Sequence, residues 1–246
     1  VVLVARTGEA LEEVRLEIEA EDGIAHVHPC DLRDPDAVEH LIAQVVDAHG
    51  SVDVLVNNAG HSIRRSINDS YDRLHDFERV MRLNYLAPLQ LILGLIPGMR
   101  ERGAGHIVNV STMGVFIQGP RFSAYIASKA ALDAFSNSLA TESRHEGIRV
   151  TSIHPALVRT PMVVPTAAYA DAPALTAEET ADTIAEAIRT RPPRMVPRLG
   201  RVFALVRLIA PRVVERRLNA KFRSSAAAGL PPESGDLANS SRAGYL

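Results

Sequence analysis

The sequence predicts an α/β protein, a parallel β-sheet covered by helices on both faces. Three observations carry the prediction. Short apolar runs alternate with longer stretches of helical periodicity along the chain. Those runs are nearly continuous, as in strands buried on both faces, and do not alternate with polar residues. A chain of 246 residues, 46% hydrophobic and 23% charged, is long enough for one such domain with a sizeable core.

The elements follow in order. "VVLVA" (1–5) is the first strand, and Leu11, Val14, Leu16 and Ile18 mark a charged helix behind it. "GIAHVHP" (23–29) is the second strand. Asp34 then offers an N-cap, Pro35 the first helical position and Gly50 a stop. "VDVLV" (52–56) is the third strand, closed by "NNAG" (57–60). A long helical region over 71–99 is expected to bend near Pro88. "GHIVNVS" (105–111) is a strand, 124–147 a strong helix and "IRVTSIHP" (148–155) the fifth strand. Thr176 and Glu179 form a capping box for a helix over 176–189, and "RMVPR" (194–198) is a last short strand. The division is an α/β domain over 1–198, a basic extension over 199–223 and a tail over 224–246. The tail is rich in Ser, Ala, Gly and Pro without periodicity and reads as disordered.

Composition narrows the function. A formal charge of −2 gives no reason to expect nucleic acid. One cysteine, Cys30, excludes an internal disulfide and fits a reducing, cytoplasmic compartment. No apolar run reads as a membrane span, the start has no signal-peptide pattern, and no metal site is read.

The chemistry begins with Tyr125 and Lys129. Only two of the 27 basic residues are lysines, Lys129 and Lys221. An arginine stays protonated, whereas a lysine's pKa can shift. At i and i+4 on a helix the phenol and the ammonium share a face. The ammonium is expected to lower the tyrosine pKa and fit it for proton transfer. Three further segments fall at strand ends, where open α/β sheets bind ligands: "NNAG", "NVST" (109–112) and "HPALVRTPM" (154–162). Asn84 lies in the long helical region.

This set, in this order, resembles the short-chain dehydrogenase/reductase family over about residues 1–200. The resemblance implies a Rossmann-like doubly wound sheet and an oxidoreductase. It makes Tyr125 the general acid/base, with Lys129 its modulator and holder of the nicotinamide ribose. Asn84 matches the asparagine that orders a relay water. Asn58, Ala59 and Gly60 would pass the cofactor backbone. Asp31 and Leu32 match the adenine-binding pair, and Pro155, Val158 and Thr160 the nicotinamide loop, with Ala156 where the family usually has glycine. The hydroxyl that orients the carbonyl falls at Thr112, with its neighbour Ser111 the alternative. Arg6, at a strand end that carries no acid, favours NADP(H) over NAD.

The family's TGxxxGxG loop is not in the chain, which begins at what reads as the family's second strand. A sheet lacking its first, central strand and its pyrophosphate site is therefore expected, and the function is read for the complete protein. The basic stretch 199–223 carries seven basic residues from Arg201 to Arg223 against Glu215 alone, interleaved with apolar ones. It reads as a packed helix pair or as a peripheral contact with a membrane surface. Together with "PRFSAYIASKAALDAF" (120–135), it also resembles bacterial fatty acyl-CoA reductases of this family, which implies a lipidic substrate, a long-chain acyl-CoA or fatty aldehyde. A generic alcohol dehydrogenase or ketoreductase, and a non-catalytic scaffold, are the competing readings. The long helices resemble those that make homo-oligomers in the family.

Overall fold

The computed structural model describes residues 1–160, 169 and 172–227. Strand and helix alternate as expected: β1 (Val2–Ala5), α1 (Gly8–Ala20), β2 (His26–Pro29), α2 (Pro35–His49) and β3 (Val54–Asn57). Then come α3 (Leu74–Met81), α4 (Ala87–Arg102), β4 (Gly105–Val110), α5 (Gly114–Ile117), α6 (Ser123–Ser143) and β5 (Ile148–Ile153). The chain continues through α7 (Ala177–Thr190), β6 (Arg194–Met195), α8 (Arg198–Ile209) and α9 (Pro211–Ala227).

All described pairings are parallel. They form two sheets, β1–β2 and β3–β4–β5–β6, not hydrogen-bonded to each other. The two pieces share a core: Val38, Leu41 and Val45 of α2 pack on Val2 and Val4 of β1 and on Val52 and Leu91. Cys30 is buried in that cluster as a packing thiol, its pKa pushed up by burial and by Asp31 and Asp34.

Every residue of β4 is buried. Ile107 packs with Ile92, Ile96 and Met99 of α4 and with Leu139 of α6, whereas Val108 packs with Ala187 and Ile184 of α7 on the opposite face. Successive side chains of a strand point to opposite faces, so burial on both explains the unbroken apolar runs.

The caps expected from the sequence are present. The Asp34 carboxylate accepts from the N–H groups of Asp36 and Ala37, and Thr176 and Glu179 cap α7 reciprocally. The expected bend near Pro88 takes a particular form. Residues 82–86 form a π-helical turn that joins α3 to α4, with Pro88 in the first turn of α4. Pro88 has no N–H to give the carbonyls four and five residues back, so the regular ladder is interrupted there. The joined helix Leu74–Arg102 is, by length and composition alone, apolar enough to cross a membrane, a property that helices of a protein core share. It packs against α2 and α6 as an element of the core. The tail expected from Ser224 also needs adjustment, because α9 runs to Ala227. Residues 228–246 lie outside the described set.

Candidate active site

Parallel strands in register end at one level. Asn57 pairs with Asn109, and Val110 with Ile153. The segments after β3, β4 and β5 therefore leave the same edge, and with them Asn58–Gly60, Ser111–Thr112 and Pro155–Thr160. Buried side chains tie the three strands and α6 together below that edge. The Asn57 Nδ2 donates to Asn109 Oδ1 at 2.8 Å, and Asn109 Nδ2 donates to Ser136 Oγ at 2.8 Å.

Helix α6 carries Tyr125 and Lys129 into this edge. Serines at 128, 136 and 143 line its buried side, each donating to a carbonyl one turn back. Small side chains satisfied by their own helix allow close packing on the sheet.

Lys129 is buried, and its Nζ donates to the Val110 carbonyl at 2.7 Å, at the end of β4. Burial lowers its pKa to about 8. Tyr125 is half-buried, and its phenol is hydrogen-bonded to Thr112. Burial raises its pKa, the Thr112 bond opposes the rise, and Tyr169 adds to it. The lowering expected from Lys129 is thus corrected in direction: desolvation governs the phenol, and Lys129 donates to the Val110 carbonyl. Tyr169 was not foreseen, because nothing in the periodicity of its segment marks it. Its ring stacks with Phe122 at 6.3 Å.

Between Ser111 and Thr112 the geometry separates two roles. The Thr112 hydroxyl meets Tyr125 and also accepts from the Gly114 N–H at 3.1 Å. Ser111 is buried, its N–H bonded to the Ile153 carbonyl, and its Oγ has no partner among the described residues.

Asn84 sits in the π-turn, fully buried. Its Oδ1 accepts from the His61 N–H at 2.8 Å, and its Nδ2 donates to the His61 carbonyl and to Ser128 Oγ, both at 2.9 Å. Its side chain clamps the chain just past Gly60 onto α6. Its main-chain carbonyl is the group that Pro88 deprives of a regular donor. A Cβ built at Gly60 would lie 3.4 Å from Lys129 Nζ and 3.5 Å from Asn84 Oδ1. Without a side chain, the Gly60 backbone lies close against the lysine and the asparagine, the kind of near approach that glycine permits.

The loop after β5 is held from three sides. His154 is buried with Nε2 2.9 Å from Asp133 Oδ1, on α6 one turn beyond Lys129. Arg194 of β6 reaches the same carboxylate at 3.2 Å. The Pro155 carbonyl accepts from Met113, and Val158 bridges Leu175. Thr160 is the last residue described before residue 169.

At the other sheet, Arg6 is exposed at the end of β1, and Asp31 and Leu32 follow β2. Asp31 accepts from the Arg33 guanidinium at 2.6 Å, and Arg33 and then Arg6 help to hold its pKa low. Arg33 was missed because a basic residue in a loop carries no pattern of its own.

A buried carboxylate lies beside the site. Asp76 of α3 is paired with Arg65 at 2.5 Å, Arg73 at 2.9 Å and Arg79 at 3.0 Å. It pins the segment after Gly60, whose Arg65 N–H also bonds the Arg121 carbonyl ahead of α6.

Comparison with known proteins bears on this arrangement. A family profile described as short chain dehydrogenase matches residues 1–170. The chain is 52% identical over 236 residues to an uncharacterized oxidoreductase of Mycobacterium tuberculosis, covering 93% of this chain and 69% of that protein. It is 50% identical over 211 residues to a fatty acyl-CoA reductase of Acinetobacter baylyi, covering 86% and 72%. It is similar to the crystal structure of a metagenomic short-chain oxidoreductase in complex with NADP, at 35% identity and a TM-score of 0.60, covering 63% and 69%.

Proposed function

The chain belongs to the short chain dehydrogenase family of oxidoreductases, and from that premise we propose that it is an NADPH-dependent reductase of long-chain fatty acyl-CoA or fatty aldehyde. One observation carries the chemistry: Thr112, Tyr125 and Lys129 converge at the carboxyl edge of the sheet, with Gly60 close against the lysine.

The residues present fit the nicotinamide end of such a cofactor, because Thr112, Tyr125 and Lys129 stand together at the strand ends, with the side-chain-free Gly60 backbone close against Lys129. Asn58, Ala59, Gly60, Tyr125, Lys129, Pro155, Val158 and Thr160 would hold its nicotinamide half. Arg6, Asp31 and Leu32 would hold its adenine half. The cofactor supplies a hydride when bound. Tyr125, its pKa raised by burial, keeps its proton at neutral pH and gives it to the carbonyl oxygen as that oxygen gains negative charge. Thr112 orients that oxygen and holds the phenol in line. Lys129 keeps a positive charge beneath the site, and Asn84 fixes the Gly60–His61 backbone against α6.

Arg6 and Arg33 on either side of Asp31 support NADPH, since a guanidinium accommodates the 2′-phosphate where an acid would repel it. The NADP-bound relative supports the same choice. The lipidic substrate is supported by the relative named fatty acyl-CoA reductase. A generic ketoreductase is the competing reading.

The test is NADPH consumption with palmitoyl-CoA, a long-chain aldehyde and a short ketone side by side. Turnover of the long-chain substrates is expected, and activity on the short ketone alone would sink the lipid assignment. Tyr125→Phe should lower turnover by about 10²–10⁴-fold while sparing NADPH binding. Unchanged turnover would refute the role given to the phenol.

A further inference from the structure

Helix α8 is inside out. The side it turns to the protein carries Gly200, Phe203, Ala204 and Arg207, in a close approach where a Cβ at Gly200 would meet Met113 at 3.0 Å. The side it turns to solvent carries Leu199, Val202, Leu205, Val206 and Ile209, all exposed. Their spacing places them on one stripe of the helix. At the corner into α9 the exposure is greatest, with Leu208 at 79% and Ile209 at 73%, and Val213 continues the patch across the turn. Basic side chains frame it. Apart from Arg207, which is turned inward, seven arginines and lysines lie from Arg198 to Arg223 against one acid, Glu215, in a chain whose net charge is −2.

We propose that α8 and α9 form a docking element for the surface of an anionic phospholipid bilayer, with the apolar corner inserted and the arginines against the headgroups. Charge complementarity selects this occupant. An apolar face ringed by cations matches a surface that is apolar within and negative at its rim. A symmetric contact with a second copy would bring the same arginines face to face, where like charges repel.

The element sits on the wall of the active site. Arg207 of α8 donates to the Ile117 carbonyl at 3.1 Å, and Met113, under Gly200, directly follows Thr112. Phe222 of α9 lies 5.6 Å from the guanidinium of Arg121, just ahead of the Tyr125 helix. Docking at the corner therefore holds the segment between Thr112 and Tyr125 close to the bilayer. This deepens the lipidic-substrate reading, on which its purpose rests, although its test does not involve turnover.

The experiment is co-sedimentation of the protein with vesicles of phosphatidylcholine, with and without phosphatidylglycerol, in the absence of any substrate. Binding to the anionic vesicles alone is expected, released by salt. Leu208→Asp with Ile209→Asp should abolish that binding. Arg212→Glu, Arg216→Glu and Arg217→Glu together should weaken it about a hundredfold or more, at about fivefold for each basic residue near the surface. These positions are exposed, and circular dichroism checks that each variant is folded. Lack of binding at low salt, equal binding to both vesicle types, or binding that survives the Leu208/Ile209 change would overturn the proposal. So would a dimer in gel filtration that the same double change dissolves. A protein that binds vesicles but does not turn over palmitoyl-CoA keeps the docking element and loses the substrate assignment.

Discussion

Replacing Lys129 with methionine should make the protein more stable and inactive at once. The ammonium is buried, and burial moves its pKa from 10.5 to about 8. At about 1.4 kcal/mol per tenfold change in proton affinity, the fold disfavours the charged form by about 3 kcal/mol at neutral pH. Losing the hydrogen bond to Val110 takes back about 1 kcal/mol. Methionine is apolar and of similar length, so a net gain of about 2 kcal/mol is expected at pH 7. For a chain of this size that is about 4–8 °C in Tm.

The sign with pH follows from linkage. The folded pKa is below the unfolded one, so between pH 8 and 10.5 the unfolded chain binds more protons. The penalty on wild type is complete below about pH 8 and disappears above 10.5, so wild-type stability gains with pH across that window. The advantage of the variant should shrink over the same range. Urea denaturation of both proteins on either side of pH 8 measures it. A Lys129→Met protein less stable than wild type at pH 7, or an advantage that does not change with pH, would refute the reasoning. The gain in stability with loss of turnover is what a strained functional group predicts.

Other substitutions probe separate parts of the site. Gly60→Ala places its Cβ at ordinary contact distance from Lys129 and Asn84. Folding stability should change by less than about 1 kcal/mol, whereas NADPH affinity, read by calorimetry, should fall about tenfold or more as the added methyl meets the cofactor proposed to pass Gly60. Asp76→Asn leaves three guanidiniums around a neutral amide and should cost about 3–5 kcal/mol in urea denaturation. A loss below about 1 kcal/mol would mean the cluster behaves as an exposed one. Thr112→Val should lower turnover by about a hundredfold, while Ser111→Ala stays near wild type in the same assay. The reverse order would give the orienting role to Ser111.

Much of the fold was legible because its signals are local. The apolar runs of β3, β4 and β5, the Asp34 and Thr176 caps and the stop at Gly50 each depend on neighbours a few residues away. Tyr125 and Lys129 were legible for the same reason, since one helical turn separates them. The π-turn at 82–86 was visible only as a bend near Pro88, because a proline shows where a ladder breaks but not how the chain accommodates the break. Asn57, Asn109 and Ser136 lie on three elements, and no spacing predicts their contact. Asp76 and its three arginines look in sequence like an ordinary charged surface, and only burial makes them costly to break.

The outward apolar face of α8 divides the two kinds of information most clearly. The pattern "LGRVFALVRLIAPRVV" (199–214) already contained an apolar stripe and a basic frame. Periodicity states that a helix has two faces and not which one the protein covers.

By itself, then, the sequence determined the order of strands and helices, their caps, and the placing of a phenol one turn ahead of an amine, because backbone preference and helical spacing act over a few residues. Only the tertiary structure decided what that amine does. Folding buries Lys129 against Val110, and desolvation depends on everything packed around a group, which no short stretch of chain contains.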